Sequence, residues 1–371
     1  VIHIDGSFGE GGGQVFRSAL TLATVTRQPV HIERIRAKRP NPGLAPQHRT
    51  VLRALAGICS AEVFGDEIGS QEVTFHPAGE PQSGRYTFDV AQLAQGGSAG
   101  SVTLIFQALV LPLAVASGRS HLTLRGGTHV AWSPPYDALE GVYLPMLASM
   151  GLEASCSLDA WGFYPRGGGQ MSAVVHGLER SGGMARKELE EGMQNPFADI
   201  DLASLELISR GELVSIRGRS VACNLPSHIA QRMGDRARGI LERKGMRTDI
   251  RPMRVSGRGP GAGIFLIAEY EHTLAGFSAL GRPGKPSEQV AEEVSERVLN
   301  FHTGGAVVDQ HLADQLLLPL AFAGGRSSMV VARITRHLQT NAYVIQQFLP
   351  VQVEIEGQED RPGRVYVHSA G

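Results

Sequence analysis

Three stretches of the chain follow one order of elements, and that recurrence restricts the possible folds more than any other feature. The first opens on a glycine-rich turn and a helix (GEGGGQVFRSALTLATV). It continues through a strand (PVHIERIR), a basic loop, a second helix (PQHRTVLRALAGI) and strands at AEVFG and EVTFHP. The second reads GSAGSVTLIFQALVLPLAVA, HLTLRG, a loop, PPYDALEGVYLPMLASM, LEASCSL and QMSAVVH. The third reads HLADQLLLPLAFAGG, SMVVARI, a loop, LQTNAYVIQQFL, VQVEIEG and RVYVHS. Apolar residues alternate in VHIERIR and VQVEIEG and recur at helical spacing in the longer runs. Each leading helix carries a glutamine: Gln14, Gln107 and Gln315. A unit of this size is a sheet covered by helices. The expected class is therefore α/β, with a large domain of three related repeats. The loops Arg36–Gln47, Gly126–Pro135 and Thr335–Leu338 hold equivalent places and are expected to line a common region.

The third repeat is interrupted. Residues 180–305 begin with a polar stretch (RSGGMARKELEEGMQNPFADID) and then carry strand and helix patterns of their own. They are expected to form a smaller inserted α/β domain, leaving 1–179 and 306–371 as the large one.

Composition narrows the function. The chain carries 35 basic and 36 acidic residues, a formal charge of −1, so any polyanion site must be a local patch. Its three cysteines lie far apart with no CxxC pair, which argues against structural zinc and disulfides and fits a reducing cytosol. No signal peptide is visible in VIHIDGSFGE, and Val102–Ala116 is too short for a membrane helix. A cytoplasmic protein without membrane contact is expected. Glycine is in excess, 46 of 371 residues, and clusters in short runs such as Gly11–Gly13, Gly96–Gly97 and Gly324–Gly325. Such runs make tight turns, some of which hold phosphate.

Several residues stand out. The GEGGGQ run opens a helix whose N-terminus favours anions, and Glu10 at its mouth is a hard oxygen ligand suited to a divalent cation. An ordinary tight turn is the alternative, and the run is neither a Walker motif nor GxGxxG. From Arg34 to Arg53 the chain has Arg34, Arg36, Lys38, Arg39, Arg49 and Arg53 without one acidic residue, and Arg17 follows the glycines. Guanidinium forks suit phosphate oxygens, so polyanion binding is expected there. In HLADQ, Asp314 and Gln315 serve either a ligand or the helix cap. Gln107, inside an apolar helix, needs a partner from backbone or ligand. His337, placed in the loop before LQTNAYVIQQFL, is a candidate nucleophile toward phosphorus, with His48 and His129 as rivals. No HExxH or GxSxG motif is present, so zinc-protease and acyl-hydrolase chemistry lack support.

Together DGSFGEGGGQVFRSAL, IRAKRPNPGLAPQH, GSAGSVTLIFQ, GGTHVAWSPPYD, GFYPRGGG, HLADQ and RHLQTN closely resemble the RNA 3′-terminal phosphate cyclases, nearly end to end. The resemblance implies three α/β repeats with an inserted α/β domain. It also implies conversion of an RNA 3′-phosphate to a 2′,3′-cyclic phosphodiester using ATP and a divalent metal (Mg or Mn). By analogy His337 is the nucleophile that carries AMP. Gln107, Pro134, His311, Leu312, Ala313, Asp314 and Gln315 match the family's nucleotide contacts, and Glu10 its metal-binding glutamate. Arg17, Arg36, Arg39, Gln47 and His48 match the positions lining its phosphate and RNA-end site. The expected partners are ATP and RNA with a 3′-phosphate end, with a homo-oligomer left open. Trp161 departs from the Arg or His usual before GFYPxGGG, and the segment Arg180–Asp201 is longer than in many members. A related non-catalytic branch, lacking the nucleophilic histidine, is the competing reading.

Overall fold

A computed structural model describes residues 1–93, 99–178 and 202–369. The Gly96–Gly97 run and the segment Arg180–Asp201 lie outside the described residues.

Each repeat is a four-stranded sheet with two helices. The first contains β1 (Ile2–Asp5), α1 (Gly13–Thr26), β2 (Val30–Glu33), α2 (Pro46–Cys59), β3 (Glu62–Phe64) and β4 (Val73–His76). The second contains β5 (Arg85–Asp89), α3 (Val102–Val115), β6 (Arg119–Gly126), a helix interrupted by a wide turn, β7 (Ala154–Ala160) and β8 (Gly169–His176). That helix runs as α4 (Tyr136–Ala138), a π turn over Leu139–Tyr143 and α5 (Leu144–Ser149). The third repeat starts at β9 (Glu206–Leu207). It resumes after the insert with α8 (Gln310–Leu320), β14 (Arg326–Val331), α9 (Arg336–Phe348), β15 (Val351–Glu356) and β16 (Gly363–Ser369).

The strand orders are β1-β2-β4-β3, β5-β6-β8-β7 and β9-β14-β16-β15, so the three units share one topology. In each, the leading strand runs parallel to its neighbour and the rest are antiparallel. That leading strand was not part of the sequence repeat. It changes where the third unit begins, because Glu206 and Leu207 pair with Ser328 and Met329. Leu202, Leu205 and Leu207 also belong to the large hydrophobic core. Residues 202–207 thus lie with the third repeat and not with the insert, whose expected start at 180 falls outside the described residues.

The inserted residues build β10 (Leu213–Cys223), α6 (Ser227–Glu242), β11 (Thr248–Val255), β12 (Gly261–Tyr270), β13 (Leu274–Leu280) and α7 (Ser287–Gly304). Their sheet, β11-β10-β12-β13, encloses a separate core of residues such as Ile216, Met233, Ile264 and Val294. Where the chain leaves and re-enters the third repeat, Arg210 ties the two strands of the neck together. Its guanidinium donates to the carbonyls of Phe301 (3.0 Å), Ala306 (3.0 Å) and His302 (2.5 Å) and lies over the Tyr270 ring.

The helices of the three repeats meet in the centre of the large domain. Helix α1 packs against α2, α3 and α9, and Phe16, Leu20 and Leu22 on it are fully buried. Burying each such side chain stabilises the fold by roughly 1.5–3 kcal/mol. Its buried hydroxyls are satisfied locally: Thr24 and Thr26 donate to the carbonyls of Leu20 and Leu22, and Thr21 reaches Ala108 O on α3. This central packing brings the N-terminal ends of α1, α2, α8 and α9 together.

Candidate active site

Two short-range choices set the site. The glycine run turns tightly before α1, with positive φ at Gly9 (59°) and Gly11 (57°). A Cβ at Gly13 would sit 2.0 Å from His48 Nε2, so only glycine lets that imidazole lie against the loop. A Cβ at Gly12 would meet Arg39 at 2.9 Å, and one at Gly11 would meet Lys38 at 3.0 Å. Gly12 is also the N-cap of α1 and offers no side-chain cap, so the first backbone N–H groups are left for another acceptor.

The loop is therefore ringed by basic groups. Lys38 Nζ donates to Gly9 O (2.9 Å), and Arg39 lies 3.4 Å from Glu10 Oε2. Half of the basic run points elsewhere. Arg49 and Arg53 pair with Asp66 at 2.9 and 2.7 Å, and Arg34 pairs with Asp5 at 2.9 Å. Arg36 donates to Gly43 O (2.8 Å), shaping the loop itself. Of that run, Lys38, Arg36 and Arg39 stay beside the loop, together with Arg17. Burial lowers the Arg17 guanidinium to about 10, against the pull of Asp314, and it stays cationic at neutral pH.

His337 does not sit in a loop as expected. Thr335 caps α9 by accepting from Leu338 N (3.1 Å), so the helix starts at Arg336 and His337 occupies its first turn. Its Nε2 lies 3.1 Å from Glu10 Oε2, with about a third of each side chain exposed. Burial pushes the imidazole below its ordinary pKa; Glu10 opposes this, while Arg17, His311 and Arg39 add to it. Burial thus favours the uncharged ring, which is also reachable, as a nucleophile must be.

The rival histidines are buried. His48 is held neutral, well below the ordinary value, by burial and then by Arg17, Arg36 and Arg39. Its Nδ1 finds no hydrogen-bond partner. His129 is fully buried and bonded to Asp137.

The third-repeat helix α8 adds a polar row. Asp309, and neither Asp314 nor Gln315, caps this helix, accepting from the backbone N–H groups of His311 and Leu312. Asp314 is thereby free to face α1, where Gln14 Nε2 donates to its Oδ2 (3.2 Å). Burial and then Asp309 raise the Asp314 carboxyl to about 7, against Gln14 and Arg17. Gln107 Nε2 donates to Gln315 Oε1 (2.9 Å), a side-chain partner that neither expected option covered. Leu312 and Ala313 are buried in α8, and His311 is exposed at its start. Gln47 Oε1 accepts from Ser101 N (2.9 Å), and Pro134 O accepts from Thr103 Oγ1 (2.7 Å). The first contact ties the first-repeat loop to the start of α3, and the second ties the second-repeat loop to the same helix.

The structure thus gathers Glu10, Arg17, Arg39, His48, Asp314 and His337 around one glycine loop. It sets Gln47, Gln107, Pro134 and Gln315 along α3 and α8 beside it. Sequence reasoning missed Thr340 and Asn341. Thr340 Oγ1 is buried without a partner and would lie 2.1 Å from a Cβ at Gly9. Asn341 bridges Ser18 Oγ (2.7 Å) and Asp314 O (2.8 Å). Both follow His337 at helical spacing, which was the available signal.

A reachable imidazole beside a carboxylate, ringed by guanidinium groups and a glycine loop, is the equipment of an enzyme acting on phosphate. The family described as "RNA 3'-terminal phosphate cyclase" matches residues 8–355. The proteins named RNA 3′-terminal phosphate cyclase in Trichormus variabilis and Nostoc sp. are each 49% identical over 94% of both chains. That of Gloeothece citriformis is 46% identical over 97% of both. The chain belongs to the RNA 3′-terminal phosphate cyclase family.

Proposed function

We propose that this chain converts an RNA 3′-terminal phosphate to a 2′,3′-cyclic phosphodiester at the expense of ATP, through a histidinyl–AMP at His337. The observation that carries the reading is the meeting of His337, Glu10 and the guanidinium-lined glycine loop. The names of the relatives support the overall reaction.

His337 attacks the α-phosphorus of ATP, the α–β phosphoanhydride bond breaks and pyrophosphate leaves. A 3′-phosphate oxygen of the RNA then takes the adenylyl group from the imidazole, which returns to its neutral form. The adjacent ribose 2′-oxygen attacks the terminal phosphorus, loses its proton and expels AMP. Adenylylation is needed because a phosphomonoester has no good leaving group until one is attached.

Arg17, Arg36 and Arg39 neutralise charge that grows on the phosphates, where such stabilisation is worth most. Gln107, Pro134, His311, Leu312, Ala313, Asp314 and Gln315 form the nucleotide side, and Gln47 and His48 the RNA-end side. Glu10 is the residue that would hold a divalent cation. Among the described residues no group of three or more His, Cys, Asp or Glu could cage one. A single carboxylate fits an ion such as Mg, which takes most of its other ligands from phosphates and water. When bound, the ion supplies charge neutralisation at the triphosphate.

ATP labelled at the α-phosphate tests the reading. The protein should acquire an acid-labile, alkali-stable label that 3′-phosphorylated RNA removes. Normal labelling of His337→Ala overturns the assignment of the nucleophile. RNA binding with no label on the wild type moves the chain to the non-catalytic branch.

A further inference from the structure

The inserted domain grips the second repeat where that repeat carries Pro134. Its sheet lies over α4 and the π turn, and a Cβ at Gly141 would come within 2.1 Å of Ile267 Cδ1. Phe163 of the large domain forms a small buried cluster with Val221, Cys223 and Phe265 of the insert. At the polar edge of this contact, Arg219 on β10 donates Nε to Asp137 Oδ1. The guanidinium lies 5.2 Å from the Trp161 ring and 5.9 Å from that of Tyr136.

Asp137 has no oxygen to spare. Its Oδ2 accepts from His129 Nε2 (2.7 Å), and His129 Nδ1 accepts from Thr128 Oγ1 (2.8 Å). Burial alone would raise the Asp137 carboxyl, but His129 and Arg219 hold it below the ordinary value. Tyr136 N donates to Thr128 O (3.0 Å), which closes the loop on itself. Between these anchors stand Trp132, fully exposed at φ 65°, and Pro134, whose carbonyl accepts from Thr103 Oγ1 at the start of α3. The same helix carries Gln107 to Gln315. One guanidinium from the insert therefore ends a chain of contacts that fixes the loop beside the nucleotide side of the site.

We propose that Arg219 is a positioning residue: from the inserted domain, through Asp137, it holds the Pro134 loop in the conformation that receives the nucleotide. The proposal rests on the assignment of that side of the site to ATP. Removing Arg219 leaves the chemistry at His337 in place and loosens the wall, so nucleotide affinity changes and the chemical step does not. A residue that served folding alone would instead lower the folded fraction and every step with it.

The test measures self-adenylylation against ATP concentration in the full-length protein, with folded fraction read by circular dichroism. Nucleotide binding is read separately from intrinsic fluorescence, because of the chain's two tryptophans Trp161 lies against Arg219 and Trp132 stands exposed in the Pro134 loop. Arg219→Ala should raise half-saturating ATP about 10-fold, some 1.4 kcal/mol of binding, with the maximal rate within about twofold. Arg219→Lys should fall between the two, since it keeps the charge and loses the planar fork. If the alanine variant loses folded fraction, Arg219→Lys and Asp137→Asn carry the measurement, and each should raise half-saturating ATP. Unchanged half-saturation in folded variants overturns the proposal while the function reading stands. A fall in maximal rate that tracks folded fraction overturns it equally. A wild type that takes no label from ATP overturns the function reading, and this proposal with it.

Discussion

Two histidines of this molecule face carboxylates at nearly the same distance, and their surroundings make them opposites. His337 and Glu10 meet at 3.1 Å with about a third of each side chain exposed. His129 and Asp137 meet at 2.7 Å with the imidazole fully buried. In the second pair both ring nitrogens and both carboxylate oxygens have partners. In the first, the neighbours are cations and a glycine loop whose N–H groups no side chain caps. A pair with every lone pair and proton satisfied is a fastener. A pair set among cations at the uncapped start of a helix is open to a substrate.

The sharpest way to break this comparison is to exchange the losses. His337→Ala should lower covalent labelling by at least ~10³-fold, as removal of a nucleophile does, with the thermal unfolding midpoint unchanged. His129→Ala should leave folded enzyme able to label and should cost stability by about 2–4 kcal/mol in urea unfolding, because a buried carboxylate loses a donor. Labelling lost equally in both would erase the distinction.

Two glycines extend it. Gly13→Ala must displace the His48 ring, which packs edge-on against Phe16, and should lower labelling about 10- to 100-fold by shifting the groups around it. Gly141→Ala meets the flexible end of Ile267 and should cost about 1–3 kcal/mol of stability with labelling retained. The order reversed would mean that the insert contact, and not the loop, limits catalysis.

A smaller effect concerns the RNA step. Arg39→Ala should weaken use of 3′-phosphorylated RNA more than self-adenylylation, measured as separate half-reactions, and an equal loss would contradict that division. The smallest is a pH dependence. His48 and His129 are both held below their ordinary value by burial, so the unfolded chain binds protons that the folded one does not. Stability is then fully present above about 6.5 and falls as pH drops toward their lowered values. Asp314, raised to about 7, acts in the opposite sense over this range, so the histidine effect is read as a difference: from pH 7.5 to 5 the wild type should lose more stability in denaturant unfolding than His129→Gln does.

Much of this was legible in the sequence, for identifiable reasons. The repeat showed because long amphipathic helices and alternating strands announce themselves. The leading strands did not. β9 has two residues and is stable only through its partner more than a hundred positions later, a contact that no local pattern reports. The tight glycine turn that opens α1 was legible, since its chemistry is local. The basic run misled by half, because Asp66 and Asp5, which neutralise Arg49, Arg53 and Arg34, lie outside it. Thr335 as the cap that draws His337 into α9 was readable, as was Asp309 before HLADQ. The setting of Trp161 is not local either: its ring stacks on His129 at 4.5 Å and lies beneath Arg219, contacts that no neighbouring residue in the sequence reports.

The neck closed by Arg210 has a last consequence. A domain entered and left through one stapled point is topologically a side loop, however large it grows. Loop-closure entropy rises by only about 0.6 kcal/mol for each doubling of length. As far as chain entropy goes, the threefold frame is therefore nearly indifferent to the length of the segment between entry and exit. A reporter fused at one of its exposed turns should therefore cost the fold little, provided that the staple and the packed face around Phe265, Ile267 and Arg219 are kept.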